Sequence, residues 1–246
     1  MVNIITKSKE PTPPRPVSNG MQAVILAAGV GTRLRPLTNT TPKPMLKVGG
    51  KPILEHLLSS LPEEITEVIV VVEYLREQIE NYFGLSFFGK KITYATQGEM
   101  KGTYGALYSA KKYLRPGKFL VIGGDDLHTK ENLEKLTVPE RALGYSKITP
   151  PSKNFFSIEK DAGGKFTGMR RPQENENLIN VATGAYVLDE NIWKYEPVSA
   201  GGNELGLPQT ILLMNKDFPF TAIEQTGWFQ INTPADLQKA NEIKPN

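Results

Sequence analysis

Residues 23–54 read AVILAAGVGTRLRPLTNTTPKPMLKVGGKPIL, an apolar strand over Ala23–Ala27 that runs straight into Gly29 and Gly31. Glycines after a strand let the backbone approach a ligand, and successive N–H groups there can cradle phosphate oxygens. The loop is not the dinucleotide pattern G-x-G-x-x-G, because position 34 is Leu, and no G-K-[ST] follows to make a P-loop. Taken alone, the glycines fit a tight turn as well as a ligand loop.

Outward from this loop the pattern alternates. Pro52–Leu61 reads as a short helix with proline in its first turn, Glu67–Glu73 as a buried strand, and Tyr74–Phe83 as a helix. Lys91–Thr96 follows as a strand, Thr103–Leu114 as a helix, and Lys118–Ile122 as a strand ending at Gly123-Gly124-Asp125-Asp126. Such alternation predicts an α/β fold, a parallel sheet with helices on both faces and ligands beyond the carboxyl ends of the strands. After about residue 140 short strands are expected at Leu143–Ile148, Phe155–Glu159, Phe166–Arg170 and Val181–Leu188, then helices at Glu204–Asn215 and Pro234–Glu242. This half is expected to extend the sheet and cover the site.

Composition excludes several classes. Among 246 residues there is no cysteine, which removes disulfides, thiolate metal sites and a cysteine nucleophile and suits a reducing, cytoplasmic setting. His56 and His128 are the only histidines, too few for a histidine metal cluster. The longest aliphatic run is Val68–Val72, far short of the roughly 18 apolar residues of a membrane span. A net charge of +3, two units of it from Lys7, Lys9 and Arg15 against Glu10, is no nucleic-acid footprint. Residues 1–20 carry Pro11, Pro13, Pro14 and Pro16 with little apolar content. They read as a disordered leader or an added remnant, followed by a single domain over 21–246.

The 23–54 string closely resembles the opening signature of the sugar-phosphate nucleotidyltransferases, and weaker similarity continues to about residue 240. The resemblance implies a Rossmann-like, glycosyltransferase-A-like three-layer fold with a mixed, mostly parallel central sheet. It implies an NTP and a sugar 1-phosphate as substrates, Mg²⁺ as cofactor, and pyrophosphate and a nucleotide-diphosphate sugar as products. A homo-oligomer is an expectation from the resemblance alone. Carried over by position, Leu26, Ala27, Ala28, Gly29, Gly31 and Thr32 would hold the nucleotide, and Arg33 would grip the leaving pyrophosphate. Lys43, in Pro42-Lys43-Pro44-Met45, would steady phosphate in the transition state; Gln97, Gly102 and Thr103 would contact the base. Asp125 would bind Mg²⁺, a hard oxygen ligand at a strand terminus.

The acceptor side departs from the family pattern. Trp228-Phe229-Gln230-Ile231-Asn232-Thr233-Pro234 places Gln230 where a second metal carboxylate is usual, and ligand charge governs metal affinity. Arg170-Arg171-Pro172 replaces Glu-Lys-Pro, so Arg171 keeps the cation expected to meet the sugar phosphate while Arg170 inverts the charge of a hydroxyl-binding glutamate. Phe156 stands where a glycine would let backbone approach the sugar, whereas Thr183 and Gly184 keep the family's small residues there. Glu204 reads either as an acceptor-side residue or as an exposed glutamate at a helix start. Three readings follow: an active sugar-1-phosphate nucleotidyltransferase, a non-catalytic regulatory relative that binds nucleotide or nucleotide sugar and partners an active homologue, and transfer to a small phosphorylated alcohol such as phosphocholine.

Overall fold

The computed structural model describes residues 20–149, 156–173 and 176–243. The expected leader, Gly20 apart, and Phe155 lie outside the described residues. The central sheet has eight strands: β1 (Met21–Leu26), β2 (Ile65–Val72), β3 (Ser86–Phe87), β4 (Lys90–Thr96), β5 (Phe119–Gly123), β6 (Ala142–Ile148), β7 (Ile179–Leu188) and β8 (Thr221–Glu224). Their order is β8-β6-β7-β5-β1-β2-β4-β3. Neighbours β1/β2, β1/β5, β2/β4 and β6/β8 run parallel, and β5/β7, β7/β6 and β3/β4 antiparallel, so the sheet is mixed as the resemblance implied.

The core follows from the period of two along each strand. On one face Val24, Ile69, Val71 and Val121 pack on α3 (Gly102–Ala110) and α5 (Leu207–Met214) through Leu107, Leu207 and Ile211. On the other, Ala23, Ile25, Val68, Val70, Leu120 and Ile122 meet Leu54, Leu57 and Leu58 of α1 (Ile53–Ser60), Ile79 of α2 (Arg76–Phe83) and Leu133 and Leu136 of α4 (Lys130–Thr137). Each fully buried Leu, Ile or Val contributes about 1.5–3 kcal/mol, which explains why β1, flanked by two strands and covered on both faces, reads as a continuous apolar run.

A third cluster joins the chain ends: Leu34, Leu46, Val48 and Ile53 pack on Ile231 and on Ala240 of α6 (Pro234–Glu242). This packing carries the Trp228–Thr233 turn across to the glycine loop. A capping box fixes the start of α6, with the Thr233 side chain accepting from the Asp236 N–H and the Asp236 carboxylate from the Thr233 N–H.

Several elements differ from the sequence expectation. Glu204–Gly206 is a strand paired with Val198–Gly201, not the start of a helix, which begins at Leu207. The chain there is pulled into strand geometry by α3, since the Leu205 N–H donates to the Lys101 carbonyl at 2.9 Å. Helix α4 has Leu133 and Leu136 as its apolar core residues, beside buried Asn132 and Thr137, in a polar octapeptide, and its Thr129 cap carries the signal that its composition hides. The four-residue edge strand β8 was unread for want of any alternation over so short a run.

Candidate active site

The chain leaves β1 to build β2 and β4 on one side, then returns to lay β5 on the other. The crevice between the carboxyl ends of β1 and β5 is therefore the switch point at which open α/β sheets bind ligands. A cleft of about 720 Å³ opens there. Its walls include Leu26, Ala27, Ala28 and Gly29 from the glycine loop, Arg33 and Lys43, Gln97, Gly102 and Thr103, and Asp125, Gly184 and Gln230. Residues from every stretch singled out in the first 130 positions thus converge. Gly31 and Thr32 do not line it; Gly31 instead accepts from the Thr38 hydroxyl through its carbonyl at 2.8 Å, which shapes the turn.

At one end the charges are tightly organised. The Lys43 ammonium, nearly buried, donates to Asp125 Oδ2 at 2.5 Å and to Asn232 Oδ1 at 3.2 Å, and Arg33 donates to the same Asn232 oxygen at 3.0 Å. Asn232 therefore holds two cations side by side at the cleft. Asn232 carries no motif of its own in the sequence, between Gln230 and Thr233. The available signal was its place two residues beyond Gln230, directly before the α6 cap. Asp236 Oδ2 accepts from the Asn232 N–H at 3.0 Å as well, so the capping box also seats the asparagine.

The floor carries two consecutive carboxylates. Asp126 is 2% exposed, and Gln230 pairs with it across a short antiparallel ribbon. Burial, followed by the adjacent Asp125 charge, pushes the Asp126 carboxyl well above the usual carboxylate range, against the pull of the Lys43 ammonium. The floor is glycine-walled: a Cβ at Gly123 would lie 2.9 Å from Asp125 Oδ1, and one at Gly184 would lie 3.0 Å from Asp126 Oδ2. Gly184 also holds φ +72°, open to glycine at little cost.

This donor set fits Mg²⁺. Among the described residues no group of three or more His, Cys, Asp or Glu side chains could cage a metal. Mg²⁺, however, is commonly held by one or two carboxylates plus substrate phosphates. Asp125, with Oδ1 in its glycine cradle, and the Gln230 side chain at the cleft wall would supply the protein oxygens.

Of the acceptor-side residues, Gly184 lines the cleft and others do not. Thr183 turns its side chain inward, where its hydroxyl donates to Gln225 Oε1 at 2.7 Å. The cause is an irregularity in β7 between Ala182 and Tyr186, which sends Thr183 to the interior and Gly184 to the cleft floor. Buried beside them, His128 Nδ1 donates to the same Gln225 oxygen at 3.1 Å, and burial lowers the imidazole pKa to about 4.

Arg170 does not reach the cleft. It lies on the ribbon Ser157–Lys160/Phe166–Arg170, with Nη1 and Nη2 donating to Glu176 at 2.7 and 2.8 Å and Nε to Glu159 at 3.1 Å. These contacts hold the Glu176 carboxyl down at about 2, first through the Arg170 hydrogen bonds. The guanidinium of Arg171 sits 4.2 Å from the Phe156 ring centroid, and neither residue lines the cleft. Phe156 therefore fills no space there. Glu204, by contrast, does line it, from the hairpin beside α3.

Comparison with known proteins agrees with this geometry. A family model described as nucleotidyl transferase matches residues 22–242. The chain is 34% identical over 232 residues to the bifunctional protein GlmU of Methanococcus vannielii, covering 90% of this chain and 54% of that protein. It thus spans about half the length of the curated relatives it matches first. It is 32% identical over 235 residues to AglF of Haloferax volcanii, named a UTP–glucose-1-phosphate uridylyltransferase, covering 90% of this chain and 96% of that one. The fold is similar to that of the inositol-1-phosphate CTP transferase from T. maritima, with a TM-score of 0.74 at 19% identity over 92% of this chain and 95% of that chain. From β1 and its glycine loop through Asp125 to the Asn232 turn, the chain belongs to the nucleotidyl transferase family, among the sugar-phosphate nucleotidyltransferases.

Proposed function

We propose that the protein transfers a nucleotidyl group from an NTP to a sugar 1-phosphate, forming a nucleotide-diphosphate sugar and releasing pyrophosphate. The observation that carries this is the cluster of Arg33, Lys43, Asp125 and Asn232 at the switch-point cleft, beside the glycine loop, in a chain similar to a relative named for this reaction. Phosphoryl-type transfer needs positioning and charge neutralisation more than covalent catalysis. An oxygen of the acceptor phosphate attacks the α-phosphorus in line; the new P–O bond forms as the α–β bridge breaks and pyrophosphate leaves. Arg33 and Lys43 neutralise the charge gathering on the leaving group, and Asn232 keeps both aimed at it. The glycine loop meets the nucleotide through its backbone, and Gln97, Gly102 and Thr103 border the base. Mg²⁺, held by Asp125 and Gln230 with phosphate oxygens, would supply further charge neutralisation when bound.

The acceptor is a sugar 1-phosphate by likeness to AglF, and a cyclic polyol phosphate is the class to set against it. The experiment is pyrophosphate release by purified protein with Mg²⁺, crossing five NTPs with sugar 1-phosphates, inositol 1-phosphate and phosphocholine. Release with a sugar 1-phosphate establishes the reaction. Tight nucleotide binding with no release across the panel overturns it in favour of a non-catalytic relative.

A further inference from the structure

We infer that the base end of the cleft selects guanine, with Glu204 as the residue that sets the choice; this rests on the reading that the cleft takes a nucleotide. The inference comes from how hydrogen-bonding capacity is already used around Gly102. Gln97 gives its amide nitrogen to the Met100 carbonyl at 3.0 Å and to the Gly102 carbonyl at 3.4 Å. Those two acceptors fix which end of the amide is nitrogen. The Gln97 Oε1 that remains has no partner among the described residues and is an acceptor only.

Glu204 stands on the other side of Gly102. Its strand bridges to Lys101, and a Cβ added at Gly102 would lie 3.1 Å from the Glu204 Cβ. The Glu204 carboxylate is exposed, lines the cleft and has no hydrogen-bond or ionic partner among the described residues. Lys101, a cation at this end, is paired with Glu73 at 2.7 Å and keeps protons free to donate. With Glu73 turned to Lys101, the edge left for a base is one ammonium donor beside two unpaired acceptors, one of them anionic.

Guanine is the base that complements this order. Its edge offers the O6 acceptor followed by two neighbouring donors, N1–H and the N2 amino group. O6 accepts from Lys101, and N1–H and N2–H donate to the carboxylate and to Gln97 Oε1. Uracil and thymine offer one N–H between two carbonyls, so a carbonyl oxygen would face the Glu204 carboxylate. Cytosine and adenine offer one amino group beside a bare ring nitrogen, which leaves an acceptor facing an acceptor. A site built to hydrogen-bond one edge rejects others because its polar groups are left unpaired.

The test is calorimetric titration of the full chain and of Glu204→Gln with GTP, UTP, dTTP, CTP and ATP, each with MgCl₂. The wild-type protein is expected to bind GTP about tenfold or more tighter than any other triphosphate, the size of one well-matched base contact. Glu204→Gln should weaken GTP about tenfold while leaving the pyrimidine triphosphates bound as well as before or better, since the amide no longer opposes a base carbonyl, which removes most of the preference. Tighter wild-type binding of another base, or equal binding of all five, overturns the inference while leaving the nucleotide cleft in place. Equal weakening of all five in Glu204→Gln also overturns it, because the carboxylate would then be holding the ribose. Binding of none of the five sinks the nucleotide reading of the cleft, and this inference with it.

Discussion

Lys43 and Asp125, 82 residues apart in the chain, meet as an ion pair at 2.5 Å, and Asn232 accepts from the same ammonium at 3.2 Å. The pair ties the loop after β1 to the end of β5 across the switch point. It also keeps one Asp125 oxygen occupied and leaves the other in its glycine-walled cradle.

Lys43→Gln should therefore lower turnover about 10²–10³-fold, the usual cost of losing one preorganised donor at developing charge. The thermal midpoint should move little, because Asp125 is 35% exposed and can rehydrate. Initial rates of pyrophosphate release together with a melting curve check both halves. A large fall in the midpoint with proportionate loss of rate would make Lys43 a structural residue.

Gln230→Asp restores a carboxylate opposite Asp126. If Gln230 is a metal ligand, the added charge lowers the Mg²⁺ concentration for half-maximal activity. Mn²⁺ binding followed by electron paramagnetic resonance gives a reading independent of turnover. No change in either measurement would remove Gln230 from the metal site.

Gly102→Ala tests the α3 entrance. Gly102 holds φ +85°, and an added Cβ would lie 2.5 Å from the Leu205 carbonyl oxygen. Strain of about 1–3 kcal/mol is expected, and the Glu204 hairpin must move to relieve it. Urea denaturation should register the loss of stability, and nucleotide titration the altered cleft. Unchanged values in both would show that the hairpin gives way freely.

His128 predicts an acid-sensitive fold. Its ordinary pKa of 6.5 applies in the unfolded chain, while burial lowers the folded value to about 4. Between those values the unfolded state binds more protons, so stability is full above pH 6.5 and drains away as pH falls toward 4. The slope reaches at most about 1.4 kcal/mol per pH unit. His128→Gln should flatten this limb in urea titrations at stepped pH. An unchanged acid limb would assign it to other groups.

Much of the site was legible because its chemistry is local. A strand that ends in Gly29 and Gly31, and another that ends at Asp125, declare ligand loops wherever the chain folds them, so Arg33, Lys43, Gln97 and Asp125 all reach the cleft. The acceptor side is less legible: Gly184 and Glu204 line the cleft, but the direction of other side chains there is set by partners elsewhere in the chain. Arg170 looked like a ligand-facing cation until Glu159 and Glu176 claimed its guanidinium. Thr183 looked like a cleft residue until the β7 irregularity turned it toward Gln225.

By itself, the sequence determined the alternation of elements, the glycine loop at the first strand end and the family resemblance, since apolar period, turn chemistry and contiguous motifs act over a few residues. Tertiary structure decided which side chains share the cleft. Asn232 meets Arg33 across 199 positions only because α6 packs on the cluster around Leu34 and Ile53, and Glu204 reaches Gly102 only because its hairpin pairs with the start of α3. Contacts at such separation are paid for by burial of the whole core, and no local stretch of sequence holds that energy.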